Sequence, residues 1–131
     1  MHLLLTHSVV NRLQFIQENL PEELTLLPIE TILEFVREYV ARNQDELDEM
    51  QATRRHGKTP SARELNMRQQ MENETREFES GYWIPDLTNE ANLHRLKDWN
   101  GEWVGLNAVS FVRVTKAGDT RPSSFPPRGN S

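Results

Sequence analysis

Apolar residues recur along most of this chain every three to four positions, a rhythm that predicts helices. Val9, Leu13, Ile16 and Leu20 share one face, so a first helix is expected to open at Ser8, a suitable N-cap, and to stop at Pro21. From Pro28 a longer stripe of Ile29, Ile32, Leu33, Val36, Tyr39, Val40, Leu47 and Met50 predicts one helix reaching about Arg55, roughly 40 Å in length. Gly57 and Pro60 interrupt the pattern. Ser61-Ala62-Arg63-Glu64 then reads as a capping box that starts a third helix, with a weaker apolar side of Leu65, Met67, Met71 and Phe78 and a stop at Gly81. Two long helices joined by so few residues fold most simply as an antiparallel hairpin.

Beyond the hairpin the apolar signal changes character. Ile84-Pro85-Asp86-Leu87 is expected to turn, because Pro85 drives Ile84 away from helical geometry. A short fourth helix starting at Thr88 or Asn89 would present Leu93, Leu96 and Trp99 and stop at Gly101. From Val109 to Val114 the order V-S-F-V-R-V alternates like a strand, but a strand without a partner cannot make a sheet, so residues 109–116 are expected to form an extended arm. The Pro-, Ser- and Gly-rich residues 117–131 are expected to be a disordered tail, as are 1–7 to be a flexible N-terminus. The predicted fold is therefore all-α: a long antiparallel helical hairpin with short flanking helices, in a domain covering residues 8–108.

Composition narrows the function classes. The 131 residues are 36% hydrophobic and 27% charged, with a mean hydropathy of -0.72, which places the chain at the polar edge of globular proteins and predicts a single modest core. There is no cysteine, which excludes disulfides, thiol catalysis and thiolate metal sites. The run Leu3-Leu4-Leu5 is far too short to cross a bilayer, and no membrane association is expected. His2, His7, His56 and His94 are dispersed, and no phosphate-loop, dinucleotide or nucleophile-elbow pattern occurs, so no enzyme activity, cofactor, metal or small-molecule substrate is expected. The many glutamates of the hairpin read as a solvated face.

Two features stand out from that background. The net charge of -5 hides a reversal: residues 17–50 hold ten acids against Arg37 and Arg42, whereas residues 51–68 hold Arg54, Arg55, Lys58, Arg63 and Arg68 against Glu64 alone. This basic cluster falls at the hairpin tip. It could meet phosphate in structured RNA, or it could be a solvated helix end complementing the helix dipole. The second feature is the stretch 78–111, which holds six of the ten aromatic residues and all three tryptophans. Tyr82, Trp83 and Trp99 are expected to close the core, leaving Trp103 and Phe111 as exposed anchors for a partner.

The residues that carry a family resemblance are Arg12 to Leu20, Glu38 to Asn43, Glu46 to Met50, Arg54-Arg55-His56, and above all Phe78-Glu79-Ser80-Gly81-Tyr82-Trp83-Ile84-Pro85-Asp86-Leu87 followed by Asn92-Leu93, Leu96 and Trp99. Over residues 9 to 115 the chain resembles the translation machinery-associated protein 16 family of ribosome-biogenesis factors. The resemblance implies a small, helical, non-catalytic factor of the nucleus (nucleolus and nucleoplasm) and of the cytoplasm as a further site, which associates as a monomer with precursors of the large (60S) ribosomal subunit through rRNA and ribosomal-protein contacts. Members carry a Lys/Arg-rich extension ahead of the first helix, which this chain, beginning Met1-His2-Leu3-Leu4-Leu5, is expected to lack. On this basis Arg54, Arg55, Lys58, Arg63 and Arg68 are the expected RNA contacts, with Arg113 and Lys116 as secondary ones, and Trp103 and Phe111 the expected protein contacts. The alternative is a helical protein–protein adaptor that binds no RNA.

Overall fold

The computed structural model describes the backbone of residues 2–23 and 25–128 and side chains from His7 onward. Its elements are α1 (His2–Glu18), α2 (Ile29–Val40), α3 (Gln44–Thr53), α4 (Ala62–Ser80), β1 (Tyr82–Pro85), α5 (Glu90–Asp98), a 3-10 segment (Trp103–Ala108), β2 (Phe111–Val114) and β3 (Thr120–Ser123). The three strands form one antiparallel sheet in the order β1-β2-β3, with Trp83 opposite Arg113 and Arg113 opposite Arg121. The fold is therefore mixed helix and sheet, which corrects the all-α expectation.

The physical reason lies in the partner strands. Only β2 alternates visibly. β1 is buried at every position and contains Pro85, so it lacks the half-buried rhythm, and β3 reads Thr-Arg-Pro-Ser, a polar segment that only pairing with β2 makes a strand. The expected arm is thus the central strand, and the expected tail supplies an edge strand and then Phe125, half-buried against the core. Residues 129–131 of that tail, and Met1 of the expected flexible N-terminus, lie outside the described residues. At the other end α1 begins at His2, ahead of Ser8, because nothing between them breaks a helix.

The hairpin persists with one alteration. The expected 28–55 helix is broken at Ala41–Asn43 into α2 and α3. Arg42 pins the break: its Nη1 donates to the Tyr39 carbonyl (2.7 Å) and its guanidinium lies 3.8 Å over the Tyr39 ring while pairing with Glu74. The Arg42–Glu74 and Arg54–Glu64 pairs run in opposite chain order, which fixes α4 antiparallel to α2 and α3. Ser61 caps α4 as expected, its side chain accepting from the Glu64 amide at 3.1 Å.

What α4 buries differs from its expected stripe. Leu65 is 49% exposed, and the inward positions are Glu64, Glu74 and Phe78. Charge thus helps to hold the helix, and the solvated-face reading is corrected for the buried Glu64 and Glu74, whereas Glu72 and Glu79 are exposed as expected. Phe78 joins the apolar core, where Leu13, Ile16, Leu33 and Val36 of α1 and α2 meet Tyr82, Trp83, Ile84, Leu93, Leu96, Leu106 and Val114. Each such side chain contributes about 1.5–3 kcal/mol by leaving water.

Candidate functional site

The hairpin tip is built from a helix end, a tight turn and a helix start. α3 stops at Thr53 as Arg54 turns extended (φ -68°, ψ 134°), the Lys58 amide closes a turn on the Arg55 carbonyl (3.0 Å), and Gly57 takes φ +81°, a conformation that other residues rarely adopt. Beyond it the chain runs extended into Ser61 (φ -69°, ψ 161°). Thr53, Arg54, Arg55, Lys58, Thr59 and Ser61 line a shallow concavity of about 630 Å3 here.

The five expected RNA-contacting cations of the tip divide into two groups. Glu64, 2% exposed, accepts from Arg54 Nη1 at 2.7 and 2.6 Å and from Arg68 Nη2 at 2.7 Å. Arg63 pairs with Glu46 of α3 across the hairpin. Arg54 and Arg63 therefore bridge the two arms of the hairpin, and Arg68 pairs with Glu64 within α4. Arg55 and Lys58 are exposed and have no ion-pair partner among the described residues, and His56 is exposed between them.

The secondary contacts divide likewise. Lys116 is exposed just after β2. Arg113 is 3% exposed, donates to the Gly81 carbonyl at 3.1 Å and lies 3.5 Å from Glu77, so its expected RNA contact is corrected: a side chain on the buried face of the central strand does not reach a phosphate. Burial lowers its pKa, with Arg121 and Arg12 pushing the same way and Glu77 opposing. Phe111 is also removed from the expected protein contacts. It is 3% exposed and stacks on Trp83 with ring centroids 4.2 Å apart. Trp103 is half-buried against Phe125 (4.7 Å), beside Val104, which is 72% exposed.

Sequence reasoning missed a second charged cluster beneath α4. Arg12 donates to both Glu77 oxygens (2.8 and 3.0 Å) and to the Trp83 carbonyl (2.9 Å), with its guanidinium 4.0 Å over the Tyr82 ring. Burial works against the Arg12 charge, but Tyr82 and Glu77 more than offset it, and its pKa lies above the ordinary arginine value. The same balance holds Arg42 above that value, burial being outweighed by Glu74. One signal was available: Arg12 interrupts the apolar stripe of Val9, Leu13 and Ile16, and a charge there must find a buried partner. No group of His, Asp and Glu among the described residues could hold a metal ion, and no described helix is long and apolar enough to cross a membrane.

These features define a small mixed helix–sheet protein whose buried charges lock its own elements together and whose unpaired tip cations face solvent. The chain belongs to the Translation machinery-associated protein 16 family, whose model matches residues 4–116. It is 34% identical over 86 residues to Translation machinery-associated protein 16 of Saccharomyces cerevisiae, covering 66% of this chain and 48% of that protein. The protein of the same name from Danio rerio is 29% identical over 97 residues, 70% of this chain and 50% of its own, and that from Bos taurus 28% over 108 residues, 79% and 53%. The chain thus spans about half the length of the curated relatives it matches.

Proposed function

We propose that the chain is a non-catalytic ribosome-biogenesis factor that associates in the nucleus with precursors of the large ribosomal subunit, meeting rRNA at its hairpin tip. The relatives' name, translation machinery-associated, supports the broader role. The observation that carries the finer reading is the exposed pair Arg55 and Lys58 on a tight turn, flanked by Arg54 and Arg68, which Glu64 clamps in place. A rigid, cation-bearing turn suits the shape and backbone recognition by which proteins contact structured RNA. Each phosphate it neutralises releases counterions, so binding weakens with salt. Lys116 is a second backbone contact, and Trp103 with Val104 offers apolar surface to a neighbouring ribosomal protein.

The test is co-sedimentation of the full chain with large-subunit precursors across a salt series, comparing it with the Arg55→Glu/Lys58→Glu variant. Both side chains are solvent-facing, so the variant should melt as the parent does yet lose co-sedimentation at lower salt; unaltered co-sedimentation would remove the tip from the account. Reversing Arg54 is a poor test, because it would strip the buried Glu64 of one of its two arginine partners and set a like charge beside it. The adaptor reading draws on the exposed Val104 beside Trp103. Salt-insensitive binding to a purified protein partner, with no affinity for rRNA, would favour it.

A further inference from the structure

We infer that Thr59 is a phosphorylation site for a proline-directed protein kinase, and that its phosphate occupies the tip cations and closes them to RNA; the second half rests on the reading of the tip given above. Thr59-Pro60 is the one place in the sequence where a Ser or Thr precedes proline. Thr59 is exposed, and its side chain makes no hydrogen bond among the described residues. Pro60 disfavours helical geometry at Thr59, and the chain continues extended at Ser61, so the acceptor sits in the kind of irregular, extended segment that a kinase cleft takes up.

The surroundings provide for the product. Arg54, Arg55 and Lys58 line the same concavity as Thr59, and the one carboxylate there, Glu64, is already paired with Arg54 and, from further along α4, with Arg68. A phosphothreonine brings about -1.5 to -2 charges and three acceptor oxygens into that excess. It would also stand just ahead of Ser61, the N-cap of the 19-residue α4, where the helix dipole favours an anion. In the transfer the Thr59 Oγ1–P bond forms as the bond between the γ-phosphorus of ATP and its bridging oxygen breaks; ADP departs and the hydroxyl proton passes to the kinase's base. The product keeps the hairpin folded while Arg55 and Lys58 turn to an internal phosphate.

The experiment incubates the full chain with a proline-directed kinase and ATP, maps the site by mass spectrometry, and follows the phosphate by 31P NMR titration. Thr59 should be modified, with modification absent in Thr59→Ala and reduced in Pro60→Ala. The titration midpoint should lie below that of the same phosphothreonine in a short peptide, near 6, and return toward it in Arg55→Gln/Lys58→Gln. Binding to a structured large-subunit rRNA fragment should weaken on phosphorylation, its log-salt slope falling by about one to two units as two phosphate contacts are lost. A folded chain left unmodified while the peptide is modified, or a midpoint equal to the peptide's, overturns the site. Equal RNA binding before and after modification overturns the switch and leaves the tip reading standing. No RNA affinity in the unmodified chain sinks the tip reading and the switch together, whereas a lowered midpoint, measured without RNA, still supports the docked phosphate.

Discussion

Arg12 and Glu77, 65 residues apart in sequence, meet at 2.8 Å and together serve the outer edge of β1 as a neighbouring strand would. Arg12 Nη1 donates to the Trp83 carbonyl at 2.9 Å, and Glu77 Oε2 accepts from the Trp83 amide at 2.8 Å. One ion pair therefore satisfies both backbone groups that an edge strand leaves open at this residue, and in doing so it ties α1, α4 and the sheet together.

This arrangement separates the pair from an ordinary buried salt bridge. Removing one partner, as in Arg12→Leu or Glu77→Leu, is expected to cost about 3–5 kcal/mol, because the first leaves Glu77 only its longer 3.5 Å ion contact with Arg113 and the second leaves the buried Arg12 charge uncompensated. Removing both would restore stability if only the charges mattered. Here the Trp83 amide and carbonyl lose their partners as well, so the double variant should stay about 2 kcal/mol or more below the parent. Urea denaturation of the three variants measures this, and a double variant as stable as the parent would refute the edge-pairing role.

Tyr82 gives the opposite expectation. Its hydroxyl is buried and makes no hydrogen bond to the protein, while its ring carries Arg12. Tyr82→Phe should therefore leave stability unchanged or raise it by about 1 kcal/mol. Burial raises the pKa of Tyr82, and burial likewise raises that of Tyr39, in both cases against a nearby arginine. A phenol whose pKa is raised by folding keeps its proton more firmly in the folded state. Its contribution is thus fully present below the unfolded value of about 10 and is lost as pH climbs from there toward the folded value. Thermal melts between pH 8 and 11 should show stability falling above about pH 10, and falling less steeply in Tyr82→Phe.

Periodicity made the helices legible and missed what holds them together. The stripe through Ile32, Leu33, Val36 and Tyr39 and the cap at Ser61 are local properties, and the structure keeps them. The break at Arg42 was invisible because its cause, Glu74, lies 32 residues away. The sheet was hidden for a similar reason: β1 and β3 owe their state to β2 and not to their own alternation. At the tip the sequence located the cations but not which of them are taken. Glu64 was legible as part of a capping box, yet nothing local says that its carboxylate is 2% exposed and occupied by Arg54 and Arg68. Arg113 and Phe111 appeared free for partners only because the strand that carries them appeared to lack a sheet.

Asn92 offers a test of how the sheet is anchored to α5. Its Nδ2 donates to the carbonyls of Asp86 and Ser110, both at 2.9 Å, and its Oδ1 accepts from the Ser110 amide at 2.7 Å. One side chain thus joins the exit of β1 to the start of β2. Asn92→Asp keeps the shape but sets a carboxylate against two carbonyl oxygens at a site 1% exposed, whereas Asn92→Ala removes all three bonds. Each should cost about 2–3 kcal/mol at neutral pH, and the Asp variant should recover part of its loss in acid, when its protonated oxygen can donate. Chemical denaturation at pH 4 and pH 7 distinguishes the two.

The strongest test of the mixed fold is a chain ended after Lys116. Were the last residues a loose tail, the loss would be neutral. In the structure they provide β3, which pairs with β2 from Phe111 to Val114, and the Ser124 carbonyl that accepts from the Trp83 indole at 2.9 Å. They also provide Phe125, whose ring lies 4.7 Å from Trp103 and 5.9 Å from Phe111. Truncation would strand a buried indole N–H, at about 1–3 kcal/mol, and strip apolar cover worth a similar amount from the aromatic stack. A loss of about 3 kcal/mol or more is expected by urea denaturation, with a weakened near-UV tryptophan signal. Phe125→Ala in the full chain should lose only about 1–2 kcal/mol, since that ring is half-buried and the strand pairing and the indole bond remain. A truncated chain as stable as the full one would mean that β3 adds nothing to the fold.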